Sequence, residues 1–449
     1  MDFSTQSFLD RMVGEEQERQ KGYKRRWQYY NGDHPRPLKI KAGQPDDNVL
    51  VNLSRMIVDK GVAFLFGKEI EFQIEEGNTT EDEQFLDDVW DANGKMSLLQ
   101  NIALNGGVCG HVYVKIVPDG ITTEDGRTMT RLVNLDPAIV RPFWSTDDLS
   151  DVLWYKIEYE GASPRGQVFK KQMIERQDNG TWLVTDYAAE GLKMYREVGK
   201  TVWPYSFAPI CDWQNMPAPN VYFGASDLED VVMNDAINFL ASNLLRIIRY
   251  HAHPKTVGTG FKATELATGV DEMVVLPNAD AKVFNLEMQS DLESSRQYLS
   301  DLIGLYLRVS RIPNLDPVNI NVGALSGFAL RILYGDLLEK NDVKRLTYGE
   351  GIKELNRRLL AIAGKQGVKP ARIVWQNPLP ENKTELTAQL DNEINKLGVT
   401  SKESASQDLG RDYKVEQERM ANEKQGEDSI GSVLLRAFEQ GRNTTGGTV

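Results

Sequence analysis

Apolar positions recur at helical spacing in both ends of the chain and at every second residue in its middle. A charged helix is expected from Ser7 to Tyr30, closing on Trp27, Tyr29 and Tyr30 before the stop signal Asn31-Gly32. After a polar, Pro-containing linker, Val49 to Phe66 reads as a second helix. Val51, Ile57, Val58, Val62 and Leu65 fall mostly on one side of it, and Gly67 ends it. Ile70 to Ile74 predicts a short strand. Thr80-Glu81-Asp82-Glu83 is a capping box ahead of Phe85, Leu86, Val89 and Trp90. Ser97 to Asn105 is a further helix that Gly106-Gly107 closes. From His111 the period changes to two. His111–Val117, Arg131–Leu135, Val152–Tyr159, Gln167–Glu175 and Thr181–Tyr187 all alternate. Asp119-Gly120, Asp125-Gly126, Asn179-Gly180 and Glu190-Gly191 separate them, which predicts an antiparallel region of meanders. Trp203 to Pro219, rich in Pro and aromatics, leads out of it.

The helical period returns at Ser226-Asp227-Leu228-Glu229, a second capping box. Leu228, Val232, Ala236, Phe239/Leu240, Asn243 and Ile247 share one face of the helix behind it, which runs to about His251 with Pro254 just beyond. About 26 residues give it a length of roughly 39 Å. Lys255 to Gln289 is mixed, with candidate strands at Glu272–Leu276 and Lys282–Leu286. A third capping box, Ser290-Asp291-Leu292-Glu293, opens a helix in which Leu292, Leu299, Leu302, Tyr306 and Val309 fall at heptad-like spacing. Two capped helices thus bracket a compact insertion, a helical hairpin with a small domain at its tip.

Arg311 to Gly327 cannot be helical, because Pro313 and Pro317 remove donors and Asn319, Asn321 and Gly323 add turn chemistry. A loop this long between two long helices is usually functional or disordered, and here a functional loop is expected. Ser326 to Gln366 is again helical. Gly335, Gly349 and Gly351 interrupt it and predict a kink near Gly349-Glu350-Gly351. Arg372–Gln376 reads as a strand and Asn377-Pro378-Leu379-Pro380 as a break. Asn382 caps a helix to about Leu397, and Thr400-Ser401-Lys402-Glu403 opens a polar helical region. A mobile polar tail is expected from Gly426.

The pattern makes the chain α+β and predominantly helical, and 449 residues exceed one ordinary core, so about two to four domains are expected. A net charge of −13 argues against tight binding of nucleic-acid phosphates, though not against a surface past which DNA slides. Two cysteines, Cys109 and Cys211, are too few for a disulfide scaffold and suit a reducing compartment. The N-terminus has no signal-peptide pattern. Apolar runs such as Gly61–Phe66 are too short to span a bilayer.

Catalytic chemistry is present only in fragments. Gly199-Lys200-Thr201 ends like a phosphate-binding loop, but Met194 stands where that loop needs Gly. Gly258-Thr259-Gly260-Phe261-Lys262-Ala263 matches a loose dinucleotide fingerprint and is better read as a turn. His251 and His253 lack a second ligand pair for a metal. With four histidines in all, acid–base work by His is not expected, and the β region shows no clustered acids or histidines. Asp46-Asp47, Asp87-Asp88 and Asp147-Asp148 read as solvated surface or cap residues. No catalytic residue, cofactor or metal is therefore expected. Arg246, Arg249 and, in an antiparallel hairpin, Arg296 form a basic group with Lys255 nearby, either paired to acids or facing phosphate. Arg308 and Arg311 are expected to approach Asp227, Glu229 and Asp230 at the hairpin's other end.

The order of elements resembles the portal proteins of tailed bacteriophages and prophages, over about Trp27 to Lys424. Tyr29-Tyr30-Asn31-Gly32, Asp47-Asn48-Val49-Leu50-Val51-Asn52 with Ile57-Val58-Asp59 and Phe66-Gly67-Lys68, Gly224-Ala225-Ser226-Asp227-Leu228 with Asn234-Asp235-Ala236-Ile237-Asn238, Ser326-Gly327-Phe328-Ala329-Leu330, Asn377-Pro378-Leu379-Pro380, and Ser401-Lys402-Glu403 with Glu416-Gln417-Glu418-Arg419 carry it by order and spacing. The resemblance implies a homo-oligomeric ring, about twelve copies, at a capsid vertex of the virion, with assembly in the host cytoplasm. Double-stranded DNA would be packaged and ejected through it. It would dock the terminase, head–tail adaptors and major capsid or scaffolding proteins, without a membrane. It further implies a wing (residues 1–225 and 326–381), stem helices (226–252 and 290–311), a small α/β clip (253–289), a tunnel loop (312–325), a helical crown (382–425) and a tail (426–449). Asn314, Asp316, Val318, Asn319, Ile320, Asn321 and Val322 would face the DNA channel. The rival readings are an oligomeric capsid-associated scaffold or adaptor without a DNA channel, and a nucleic-acid-processing enzyme.

Overall fold

The computed structural model describes residues 5–43, 45–74, 80–123, 126–145, 147–163, 166–190, 194–229, 231–252, 255–259, 282–286, 292–314, 327–365, 371–379 and 390–409, with single positions between 387 and 421. The chain falls into two compact units, Met1–Val322 with Arg331–Pro378, and Gly323–Leu330 with Leu379–Val449.

The first unit begins with helices α1 (Thr5–Asn31) and α2 (Leu53–Phe66), strand β1 (Glu71–Gln73), and helices α3 (Thr80–Ala92) and α4 (Lys95–Cys109). Strands β2 (His111–Thr122), β3 (Thr128–Leu135) and β9 (Ile210–Gln214) form an antiparallel sheet ordered β3-β2-β9. Strands β4 (Val140–Trp144), β5 (Val152–Ser163), β6 (Gly166–Arg176), β7 (Trp182–Glu190) and β8 (Arg196–Trp203) form a five-stranded meander in sequence order. Helix α5 (Val231–Ala252), the strand pair β10 (Lys255–Thr259) and β11 (Lys282–Leu286), and helix α6 (Leu292–Val309) follow. Helix α5 packs along α6. Helix α7 (Gly327–Leu333), whose residues up to Leu330 belong to the second unit, and α8 (Gly335–Ile362) come next, and β12 (Arg372–Val374) returns to pair with β1. The main core lies between α2–α4, the two sheets and α8, with Phe66, Trp90, Tyr113, Ile157, Tyr348 and Leu355 fully buried or nearly so.

Several expected boundaries move, each for a packing reason. Helix α2 starts at Leu53, not Val49. Asn52 caps it by accepting from Arg55 N at 2.9 Å, and the preceding residues are held extended as described below. Helix α4 runs through Gly106-Gly107 to Cys109 and ends at Gly110 in the left-handed region. A Cβ at Gly106 would overlap the Tyr348 hydroxyl, and one at Gly107 would lie 3.0 Å from Asp227, so these glycines admit neighbours instead of stopping a helix. Asp119-Gly120 lies inside β2 at a register shift between Val117 and Ile121, not in a turn. Helix α8 is unbroken at Gly349–Gly351; the interruption falls at Tyr334. Gly351 is bare because the Trp213 indole occupies the space of its Cβ. Lys282–Leu286 is a strand as expected, but its partner is Lys255–Thr259. Glu272–Leu276 lies outside the described residues.

In the second unit, a single π-type turn, Asn392–Leu397, ends at Gly398 with φ 65°. Helix α9 (Lys402–Asp408) follows. Its cap is Ser401, which accepts from Ser404 N at 3.1 Å, not Thr400, which donates to Glu393.

Candidate functional site

Helix α5 buries a polar stripe: Asn234, Asn238 and Ser242 recur every four residues and are buried, beside Val231 and Ile237, while Val232, Ala236, Phe239, Leu245 and Ile248 are exposed. Of the face drawn from the sequence, Val232, Ala236 and Phe239 therefore point away from the chain's own core, while Leu228 is buried and Leu240, Asn243 and Ile247 are half-buried. Over Val231–Arg249 the helix is long and apolar enough, by length and composition, to cross a bilayer, although polar residues interrupt its apolar runs. Its polar stripe is already hydrogen-bonded within the chain.

That stripe holds a strap, the non-helical segment Asp47–Asn52 together with Leu53, the first residue of α2. Asn234 Oδ1 accepts from Leu53 N at 3.1 Å and its Nδ2 donates to Val51 O at 2.9 Å. Asn238 Oδ1 accepts from Val51 N at 2.8 Å, and Ser242 Oγ from Val49 N at 2.9 Å. At the far end Arg246 Nε and Arg249 Nη2 reach Asp47 Oδ2 at 3.3 and 2.7 Å. Asn234, Asn238 and Ser242 thus serve backbone groups two residues apart along the strap, as a neighbouring β-strand would, and the two arginines take a side-chain carboxylate. Asp47 is correspondingly buried, not solvated. Of the basic group, the structure brings Arg246 and Arg249 together on one carboxylate. It pairs Arg296 with Glu293 one turn away and places Lys255 at the head of β10.

The start of the hairpin is fixed by a second carboxylate. Ser226 does not form the expected capping box. Its hydroxyl donates to the carbonyl oxygens of Gly107 and Val108 at 3.0 and 2.7 Å and accepts from Leu228 N, and α5 begins five residues later at Val231. Asp227, with 0% of its side chain exposed, meets Lys344 at 2.6 Å and Lys340 at 3.1 Å, both from α8 and both buried. These lysines take the place expected for Arg308 and Arg311. Lys340 also donates to Ser310 O at 3.3 Å, just past the end of α6. Burial pushes the Asp227 carboxyl up, but Lys344 and Lys340 outweigh it and hold the group below its ordinary value. Burial lowers Lys344 despite Asp227.

Helix α6 ends in a Schellman arrangement. Ile312 N donates to Leu307 O at 2.8 Å and Arg311 N to Arg308 O at 3.0 Å. Arg311 sits at φ 59°, a left-handed position that Gly ordinarily fills, and Pro313 follows. Of the expected channel residues, Asn314 is exposed. Asp316, Val318, Asn319, Ile320, Asn321 and Val322 lie outside the described residues.

The β region does gather an acid and a histidine, against the sequence reading. His111 Nε2 lies 3.0 Å from Asp212 Oδ2, the Tyr155 hydroxyl donates to Oδ1 at 2.6 Å, and the Tyr222 hydroxyl donates to Oδ2. Burial raises the Asp212 carboxyl, and these donors more than offset it. The cluster lines a cavity of about 490 Å³. Its carboxylate is saturated by three donors, and it ties β2, β5 and β9 to the approach to α5. Cys211 and Cys109 are buried, with burial pushing the Cys211 thiol up to about 12 and Cys109 further still, so neither offers a thiolate. Gly199-Lys200-Thr201 lies within β8, paired to β7, and not at a strand-to-helix turn. Asp87 pairs with Lys95 at 2.9 Å, and Asp148 caps Ser150 N at 2.8 Å. Among the described residues no group of three or more His, Cys, Asp or Glu side chains could hold a metal ion.

Apolar periodicity missed Asn234, Asn238, Ser242, Lys340 and Lys344. The four-residue recurrence of polar side chains at 234, 238, 242 and 246, and of lysines at 340 and 344, was the available signal.

A family model described as phage portal protein, SPP1 Gp6-like, matches residues 9–429. No curated protein matches the chain. Similar solved structures include a chain from the neck of an empty gene transfer agent particle, computed with C6 symmetry, at 15% identity and TM-score 0.46. It covers 80% of this chain and 88% of that one. Another comes from the virion of a native gene transfer agent particle, at 14% identity and TM-score 0.40 with the same coverage.

Proposed function

The chain belongs to the SPP1 Gp6-like family of phage portal proteins, and on that premise we propose that it assembles head-to-tail into a ring of about twelve copies at one vertex of a viral head, through which double-stranded DNA is packaged and later ejected. One observation carries the assembly. Helices α5 and α6 leave Val232, Phe239, Leu245, Ile248, Leu305 and Val309 exposed while α5 spends its polar stripe on its own strap. An exposed apolar face of this extent gains free energy only when another surface covers it. A neighbouring copy is the partner that a ring supplies.

In this reading residues 226–252 and 290–311 are the stem, and 253–289, with β10 and β11, the clip that docks the terminase and later the head–tail adaptors. Residues 312–325 are the tunnel loop, 1–225 and 326–381 the wing, 382–425 the crown and 426–449 a tail. Asn314, Asp316, Val318, Asn319, Ile320, Asn321 and Val322 line the channel, where amides and backbone touch phosphate briefly without holding it. The net charge of −13 per copy keeps the wall from gripping the duplex. Arg246 and Arg249, partly neutralised by Asp47, serve the subunit's own strap in preference to DNA. The family is structural, so ATP hydrolysis belongs to the docked motor.

Electron microscopy of the purified chain tests this. Rings with a hole that admits duplex DNA are expected; filaments or compact dimers overturn the proposal. Shortening Asn314–Val322 should leave rings intact and impair packaging. Loss of rings in that variant would make the loop a structural element.

A further inference from the structure

The strap reaches α5 from the end of α1, and one histidine sits where the two meet. Gly32, at φ 87°, turns the chain out of α1, and His34 then folds back into the interior with 7% of its surface exposed. Its ring stands edge-on to Tyr29, with centroids 5.1 Å apart. The Tyr29 hydroxyl donates to Asp235 on α5. Asn52, which caps α2 and donates to Tyr30 O at 2.9 Å, lies on another side. Among the described residues neither ring nitrogen of His34 makes a well-formed hydrogen bond, the Asn52 side chain being the polar group in reach, and Asp235 Oδ1 makes none either. Beyond His34 the linker is closed onto the strap by Asn48, which accepts from Leu38 N at 2.8 Å and donates to Leu38 O at 3.1 Å.

The geometry points to an acid-sensitive latch: neutral His34, wedged between Tyr29, Asn52 and Asp235, seats the linker and strap on α5, and its protonation releases them. A neutral imidazole tolerates this site because aromatic and amide groups surround it. A cation there loses its water, and burial is the larger effect. The charges that face it are Asp235 from α5 and its own neighbour Asp33, with Arg25 over the Tyr29 ring at 5.5 Å. The Asn52 side chain and then the two carboxylates favour protonation, but burial outweighs them and holds His34 below its ordinary value of 6.5. The sign follows. The unfolded or detached linker binds a proton more readily than the seated one, so seating weakens as pH falls through the window just below 6.5. Release would free Asn234, Asn238 and Ser242 of their strap partners. This latch does not depend on the ring.

Backbone hydrogen exchange of the full-length chain, corrected for intrinsic pH dependence, tests it. Protection at Val49, Val51 and Leu53 should fall by up to about tenfold per pH unit from 6.5 down to the lower pKa of the seated His34 and then level off, while the β5–β7 amides stay constant. His34→Phe should remove the fall and keep the strap protected at both ends of the range; His34→Asn, which cannot titrate, serves as a second neutral variant. Unchanged protection in the wild type, an equal fall in both variants, or tighter seating in acid through a His34–Asp235 ion pair would each overturn the latch.

Discussion

Asp227 and Asp47 each collect two cationic side chains, and both carboxylates are buried, yet the two sites behave as different devices. Around Asp227 the cations are also buried, with 5% of Lys340 and 3% of Lys344 exposed. Around Asp47 they reach water, at 32% for Arg246 and 26% for Arg249. The first site carries one positive charge too many in a medium that punishes it, and that excess holds only because α8, the entry to α5 and the end of α6 all converge there. The second shares its excess with solvent, so it can clasp and let go. Charge count alone does not separate a lock from a clasp; the exposure of the counter-ions does.

The comparison is most easily broken at Asp227. Asp227→Asn leaves two buried ammonium groups without a carboxylate and should destabilise the purified chain by about 3–5 kcal/mol in urea unfolding. The wild type should also lose stability in acid. Asp227 titrates below its ordinary value of 3.8, so the unfolded state takes up the proton first and stability declines as pH drops below that value. This step should be absent in the variant. Next in size is Asn234→Ala, which strips partners from Leu53 N and Val51 O at once and should cost about 2–3 kcal/mol, read as strap hydrogen exchange rising ahead of global unfolding. Asp47→Asn should cost only about 1 kcal/mol and shrink further in high salt; a loss equal to that of Asp227→Asn would erase the distinction. Arg311→Gly relieves the left-handed backbone and should gain roughly 0.5–1 kcal/mol in thermal melting. If packaging suffers while Tm rises, the strained arginine is held for function. Lys344→Met leaves a balanced Lys340–Asp227 pair and should be within about 1 kcal/mol of neutral.

Most of this architecture was legible as elements. The hairpin, the alternating middle and the Pro313 break follow from periodicity and from residues that forbid a helix. What the sequence concealed was orientation. Apolar period finds a face but not its partner: Val232, Ala236 and Phe239 share a face, yet it is Asn234, Asn238 and Ser242 that turn to the chain. The same partner explains the late start of α2. Val49 and Val51 fit a helical pattern, but their backbone groups are claimed by α5 side chains about 190 residues away, and tertiary hydrogen bonds override a local preference. Gly106, Gly107 and Gly351 read as helix breakers because in isolation glycine is one. In the fold each makes room for Tyr348, Asp227 or Trp213. His111 and Asp212 stand 101 residues apart and meet only through the pairing of β2 with β9.

The strap and its helix are two rulers with unequal divisions. Four residues of α5 advance about 6.0 Å, while two residues of extended chain advance about 6.6 Å. Each step along the pair therefore accumulates roughly 0.6 Å of misfit. Short side chains can stay in phase for only a few divisions, and Asn234, Asn238 and Ser242 fill them. By the next, the scales have slipped by close to 2 Å, and there the sequence changes from amide and hydroxyl to the long, pliable reach of Arg246 and Arg249. The length of the strap is thus set by a vernier: it ends where short side chains no longer meet the mark.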